Sequence, residues 1–221
     1  MKRLKNENGN MTIFIVGCFS VFFLLFIVIL SFANVLVDKE IASNNAEQAS
    51  IVASGIMLDH LEEAIEDYDD WLRPLLLLDP IPEYVLGLHP LEDDVEMAMN
   101  ALPSTLSEPE KRHKAINQVL KNEIPGNYFL KNFVQNQLNL AKSKIRIQVK
   151  ENIENNNSEI SKTKIIFNEK YRIEVETATR YETIKFDEYL DENHRYIKQK
   201  GYGPTFEFAE SFNWNFSHNY E

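Results

Sequence analysis

TIFIVGCFSVFFLLFIVILSFANVLV occupies Thr12 to Val37, an apolar run without one charged side chain. At ~1.5 Å rise per residue a helix of this length is about 39 Å long, enough to cross a hydrocarbon core of ~30 Å with room for tilt. A helix satisfies its own backbone hydrogen bonds, which lipid cannot do for it, so the run reads as a transmembrane helix. Before it, residues 1–11 carry Lys2, Arg3 and Lys5 against Glu7, a net charge of +2. The whole chain has a formal net charge of −11, so the part beyond the span is strongly acidic. The positive-inside rule therefore places residues 1–11 in the cytoplasm and the long remainder across the membrane.

That remainder suffices for one domain with a modest core. Its acidity repels phosphate backbones and sets nucleic acid aside as a partner. The one cysteine, Cys18, lies within the span, so the outer part folds without an intramolecular disulfide. Ile15-Val16-Gly17-Cys18 has the letters of a lipoprotein cleavage box, but most of the apolar run follows the cysteine instead of preceding it. Ser31-Phe32-Ala33 offers small residues for signal peptidase, yet the apolar region before it exceeds the usual ~7–15 residues. A retained anchor is the reading that fits both observations.

Helical spacing continues past the membrane over 38–66. Ala42, Ala46, Ala49, Ala53, Ile56 and Met57 mark one stripe, widened by Ile41, Ile51, Leu58, Leu61 and Ile65. Small side chains allow close approach, so Ala42, Ala46, Ala49 and Ala53 are candidate helix–helix contacts, either with this chain's own domain or with another subunit. Residues 67–221 then read as an outer α+β domain. Between Asp67 and Pro103, five prolines (Pro74, Pro80, Pro82, Pro90, Pro103) point to short turns and extended segments. The acidic Asp67, Asp69, Asp70, Glu92, Asp93 and Asp94 lack the spacing of a calcium loop, with Trp71 where a third ligand belongs, and read as a solvated face.

Ser104 or Ser107 caps the next helix, with Glu108 and Glu110 in its first turn, an apolar face of Ala115, Ile116, Val119 and Leu120, and Pro125-Gly126 as its end. Tyr128 to Leu140 forms a shorter apolar helix. After Lys144, Ile145, Ile147 and Val149 alternate with polar residues and read as a strand. Asn155-Asn156-Asn157 makes a turn, a strand runs to Phe167, Asn168-Glu169 closes a hairpin, and Tyr171 to Tyr181 returns. A change of phase at Ile184 and Phe186 places a bulge near Glu182-Thr183. Asp191 to Gly203 reads as a polar connection ended by Gly201-Tyr202-Gly203-Pro204. Phe206, Phe208, Phe212, Trp214, Phe216 and Tyr220 share one parity, which makes a final core-facing strand, split in two if Glu210 interrupts it. Asn215-Phe216-Ser217 matches a glycosylation acceptor, a frequent chance pattern.

No group for catalysis, cofactor or metal binding is nominated. His60, His89, His113, His194 and His218 lie apart without metal-ligand spacing, and there is neither a nucleophile elbow nor a phosphate loop. No small-molecule ligand is expected.

The charged start, Glu7-Asn8-Gly9-Asn10, the apolar span and then Asp38-Lys39-Glu40-Ile41-Ala42-Ser43-Asn44-Asn45-Ala46-Glu47-Gln48-Ala49-Ser50 resemble the N-termini of TadE/TadG-like proteins. These are membrane-anchored pseudopilins or assembly proteins of the tight-adherence (Tad, or Flp) pilus. The resemblance covers roughly residues 3–60. It implies a single-pass protein of the bacterial cell membrane whose partners are other pilus or secretion-apparatus subunits. Gly9-Asn10 would be the prepilin processing point, but the fifth residue after Gly9 is Phe14, where processed relatives carry a glutamate. The unprocessed, TadG-like branch is the better match. An extracytoplasmic sensor signalling through a membrane partner is the alternative, and its short cytoplasmic arm argues against it.

Overall fold

The computed structural model describes residues 8–181, 195–212 and 214–220, with side chains from residue 11 onward. The fold is α+β. A helix α1 spans Asn8–Leu76, 69 residues or about 100 Å. It is followed by α2 (Glu92–Ala101), α3 (Glu108–Glu123) and α4 (Tyr128–Asn155). A four-stranded antiparallel sheet closes the chain, with β1 (Lys164–Phe167), β2 (Arg172–Arg180), β3 (Tyr196–Thr205) and β4 (Ser217–Asn219) in the order β3-β2-β1-β4.

One helix therefore has two environments. From Met11 to Val37 its apolar side chains face outward and the rest of the chain covers none of them fully. From Ala42 on, its stripe enters the core: Ala42, Ala46, Ala49, Ala53, Met57, Leu61 and Ala64 are fully buried. Helix α4 lies along this half of α1, and β2 and β3 pack on it as well. Ile41 and Ile51, read as widening the stripe, are exposed instead.

The helix also outruns its expected end at Glu66 and passes through Pro74. The proline falls in the last turn, where its missing N–H costs a single hydrogen bond. Leu77 and Leu78 then donate back to Pro74 and Leu75 in tighter i→i+3 turns as the helix ends. The acidic Glu92-Asp93-Asp94, read as part of a loop, forms the first turn of α2, where carboxylates favour the positive end of the helix dipole.

Helix α3 matches its sequence signals. Ser107 and Glu110 form a reciprocal capping box, with the Ser107 N–H donating to Glu110 Oε2 at 2.9 Å, and Ile124–Gly126 makes the closing 3-10 turn. Helix α4 corrects the strand expected after Lys144. Ile145 and Val149 lie four apart, a spacing common to a strand face and a helix face. Ile147 is 58% exposed, whereas Ile145, Val149 and Ile153 continue the buried row of Leu130, Val134, Leu138 and Ala141. A Schellman end stops the helix: Ser158 N–H donates to Ile153 O at 3.1 Å, and Asn157 takes φ 55°.

The β1–β2 hairpin stands where expected, with Phe167 opposite Ile173. The bulge placed near Glu182-Thr183, with Ile184 and Phe186, lies outside the described residues, as does Asp191–His194. Within the described part of the sheet, a register shift occurs between Arg172 and Glu174. The supposed connection up to Gly203 is strand β3 from Tyr196 on. The aromatic tail is not one continuous strand: Glu207–Ser211 is a 3-10 helix, and among the described residues of the tail Ser217–Asn219 is the segment that forms a strand, paired with β1. Its rings are nevertheless core. Phe206, Phe208, Phe212, Trp214 and Phe216 are all buried. Lys131, Lys142 and Arg146 of α4 lie over Phe212, Trp214 and Phe216 at 6.0, 5.5 and 5.8 Å from the ring centres. Tyr220 Oη donates to Arg146 O, and burial pushes its phenol up to about 12.

Candidate functional site: the apolar span and its junction with the head

Among the described residues, one helix is long and apolar enough to cross a membrane, and it lies near the N-terminus. Two of its polar side chains, Ser20 and Ser31, are satisfied within the helix. Ser20 Oγ donates to Val16 O at 2.9 Å and Ser31 Oγ to Ile27 O at 3.0 Å, so neither hydroxyl needs water. Cys18 is half-buried and carries a free thiol. Gly9 and Asn10 fall in the first turn of α1.

The junction is short. Lys39 and Glu40 are exposed, Asp38 is half-buried, and Ala42 is already fully buried. Ala42, Ala46, Ala49 and Ala53 are used inside this chain. A β carbon at Gly201 would run into the backbone of Ala46 and Glu47, and one at Gly203 into Ser54 Oγ. Strand β3 thus rests its two glycines directly on α1, at Ala46 first and at Ser50 and Ser54 next. The Gly201-x-Gly203 spacing, read as a turn, puts both glycines on the face toward the helix.

Polar contacts fix the same junction. Asn45 Nδ2 donates to Asn156 O at 2.9 Å and to Ser158 Oγ at 2.7 Å, tying α1 to the end of α4. Ser158 Oγ and Thr179 Oγ1, 3.3 Å apart, extend the link to β2.

At the far end of α1, Asp69 is only 3% exposed. Its carboxylate accepts from the Leu91 and Glu92 N–H groups at 2.7 and 3.0 Å and caps α2 from a distance. Burial raises its pKa, against the lowering influence of those two N–H groups and of Arg73. It is therefore no part of a solvated face. Asp67 turns the other way, toward Gln137 Nε2 at 2.7 Å on α4. Arg112 of α3 donates to Glu62 of α1 and Glu92 of α2, both at 2.9 Å, and clamps three helices. Asn127 caps α4 at Leu130 N–H, 3.0 Å, while its amide donates to the buried Tyr68 Oη at 2.7 Å.

The histidines stay apart. His60 meets Gln137 and Glu63, His89 meets Asp94, His113 packs edge-on to Phe206, and His218 packs edge-on to Tyr220. Burial lowers the pKa of His113, which favours its neutral form. His194 lies outside the described residues. Arg112 went unread in the sequence, whereas Asp69 was read as part of a solvated face and the two β3 glycines as a turn; of these only the glycine pair, two residues apart before a proline, left a signal for its role. Comparison with family models, with curated proteins and with solved structures finds no match to this chain.

Proposed function

We propose that this chain is a single-pass membrane subunit of a tight-adherence (Tad, or Flp) pilus or a related secretion apparatus, acting in assembly through contacts with other subunits. The carrying observation is the division of α1, whose first half is bare and apolar while its second half is the spine of the head. Such a helix joins a membrane and a folded domain without a hinge. The basic arm stays in the cytoplasm, the span is retained, and the head stands outside the cell membrane. The resemblance of residues 3–60 to TadE/TadG-like proteins supplies the apparatus.

Because the alanine stripe is buried within this chain, partner contacts fall elsewhere on the head. Leu77, Leu86, Met97, Leu140 and Ile147 are large exposed apolar residues available for them. The test is deletion of the gene together with photo-crosslinking from Met97 and Ile147 in native membranes. Loss of surface fibre or secretion, with cross-links to another apparatus subunit, is the expected result. Normal assembly without the chain would overturn the proposal.

A further inference from the structure

The aromatic tail leaves a hollow beside the β1–β2 hairpin. Phe167, Tyr171, Phe212 and Trp214 line a cavity of about 480 Å³, together with Glu169 of the hairpin turn and Lys131 of α4. Small-molecule sites span ~300–1,000 Å³, and this cavity falls within that range. Trp214 is 5% exposed, and its indole N–H is buried without a hydrogen-bond partner. Buried indole N–H groups ordinarily find one. The ring is held edge-on to Phe167 at 4.8 Å and stacked on Phe216 at 5.8 Å, so the donor cannot easily turn elsewhere. None of this is visible in the sequence, where the same rings read only as core.

Backbone strain marks the same place. Tyr171 takes φ 56°, a left-handed conformation that a bulky side chain rarely adopts. Asn168 holds it there: its carbonyl accepts from the Tyr171 N–H at 3.0 Å, and its Oδ1 accepts from the Lys170 and Arg172 N–H groups at 3.0 and 3.2 Å. Strain of this kind clusters at ligand sites. The charged side chains on the lining are Lys131, Glu169 and Glu210. Glu210 is already occupied, because Lys121 Nζ donates to its Oε2 at 2.8 Å. Lys131 and Glu169 are exposed and form no ion pair among the described residues. Lys131 Nζ stands 6.0 Å from the centre of the Phe212 ring, and Lys142 Nζ adds a second cation 5.5 Å from the centre of the indole. The lining thus offers a free cation, a free carboxylate and a buried donor on aromatic walls.

We propose that this cavity binds an α-amino acid with an apolar side chain. Its carboxylate is taken by the Trp214 N–H and the Lys131 ammonium, its ammonium by Glu169, and its side chain by the Phe167, Tyr171 and Phe212 rings. A carboxylate supplies the acceptor that the indole lacks. A zwitterion matches both free charges, whereas a plain anion would meet Glu169, a plain cation would meet Lys131, and a peptide terminus carries only one of the two charges. The site goes beyond the assembly role and does not depend on it, since every residue of the cavity belongs to the head. The full chain in phosphatidylcholine nanodiscs is titrated with L-leucine and L-phenylalanine by calorimetry, and with isocaproate and isoamylamine, which each keep one charge of leucine. Saturable binding of either amino acid is the expected result, with isocaproate and isoamylamine weaker by about tenfold or more. Trp214→Phe, which keeps the ring and loses the N–H, should weaken binding about tenfold, as should Lys131→Gln and Glu169→Gln, both at exposed positions that the fold tolerates. Absence of saturable binding by both amino acids overturns the site, as does wild-type affinity in both Lys131→Gln and Glu169→Gln. Isocaproate or isoamylamine binding as tightly as L-leucine overturns the amino-acid assignment.

Discussion

Replacing Gly201 by alanine adds a methyl group where α1 leaves no room. The new carbon would overlap the carbonyl carbon and oxygen of Ala46 and the amide nitrogen of Glu47. All three are helix backbone, so no rotamer change relieves the clash and β3 must lift from α1. Overpacking typically costs ~1–3 kcal/mol, and a backbone neighbour places Gly201→Ala at about 3 kcal/mol or more. At ~2–4 °C per kcal/mol for a chain of this size, the melting point should fall by about 6–12 °C. Gly203→Ala provides the control. Its closest neighbour is the Ser54 hydroxyl, a side chain that can be removed, although Ser50 O at 3.0 Å remains tight. That variant should lose about 1–2 kcal/mol and recover part of it with Ser54→Ala. Urea unfolding of the full chain in detergent, followed by the fluorescence of Trp71 and Trp214, reads the head because both tryptophans lie within it. A Gly201→Ala loss below about 0.5 kcal/mol, or equal losses at the two glycines, would refute the packing of β3 on α1.

Two further predictions concern the buried polar links. Asp69→Ala leaves the Leu91 and Glu92 N–H groups without their acceptor and should cost about 2–3 kcal/mol by urea unfolding, whereas Asp69→Asn retains one acceptor and should cost less. Since burial raises the folded pKa of Asp69 above its unfolded value, protonation is taken up more readily by the folded chain. Its contribution is then fullest below the ordinary carboxylate range near 3.8 and declines as pH rises through the raised value, so wild type should gain on Asp69→Asn as pH falls from 7. Asn127→Ala removes the α4 cap and the donor to the buried Tyr68 Oη, for about 2–3 kcal/mol. Adding Tyr68→Phe should restore part of this in a double-mutant cycle, and strictly additive losses would contradict the pairing.

The parts of the fold that could be read from sequence are those in which one local pattern decides the outcome. The span is unbroken, Ser107 and Glu110 stand at capping-box spacing, and Phe167 and Ile173 flank a turn between alternating strands. Failure came where two periods share the same residues. Ile145 and Val149 fit a strand or a helix equally, and the buried row that begins at Leu130 decides between them. Pro74 reads as a helix breaker, yet its position in the last turn makes the break inexpensive. The aromatic tail was legible as core but not as a 3-10 turn beside α4, because burial of its rings is compatible with both backbones. Asp69 could not be separated from its acidic neighbours, since its role depends on the N-terminus of α2 more than twenty positions away in sequence.

The most direct test of the account is the intact mass and N-terminal sequence of the chain recovered from native membranes after alkaline carbonate washing. The account predicts a chain of 25.8 kDa, retained in the membrane pellet, with its N-terminus at residue 1 or 2. A released protein beginning at Asn34 would contradict it, because the head would then have no anchor.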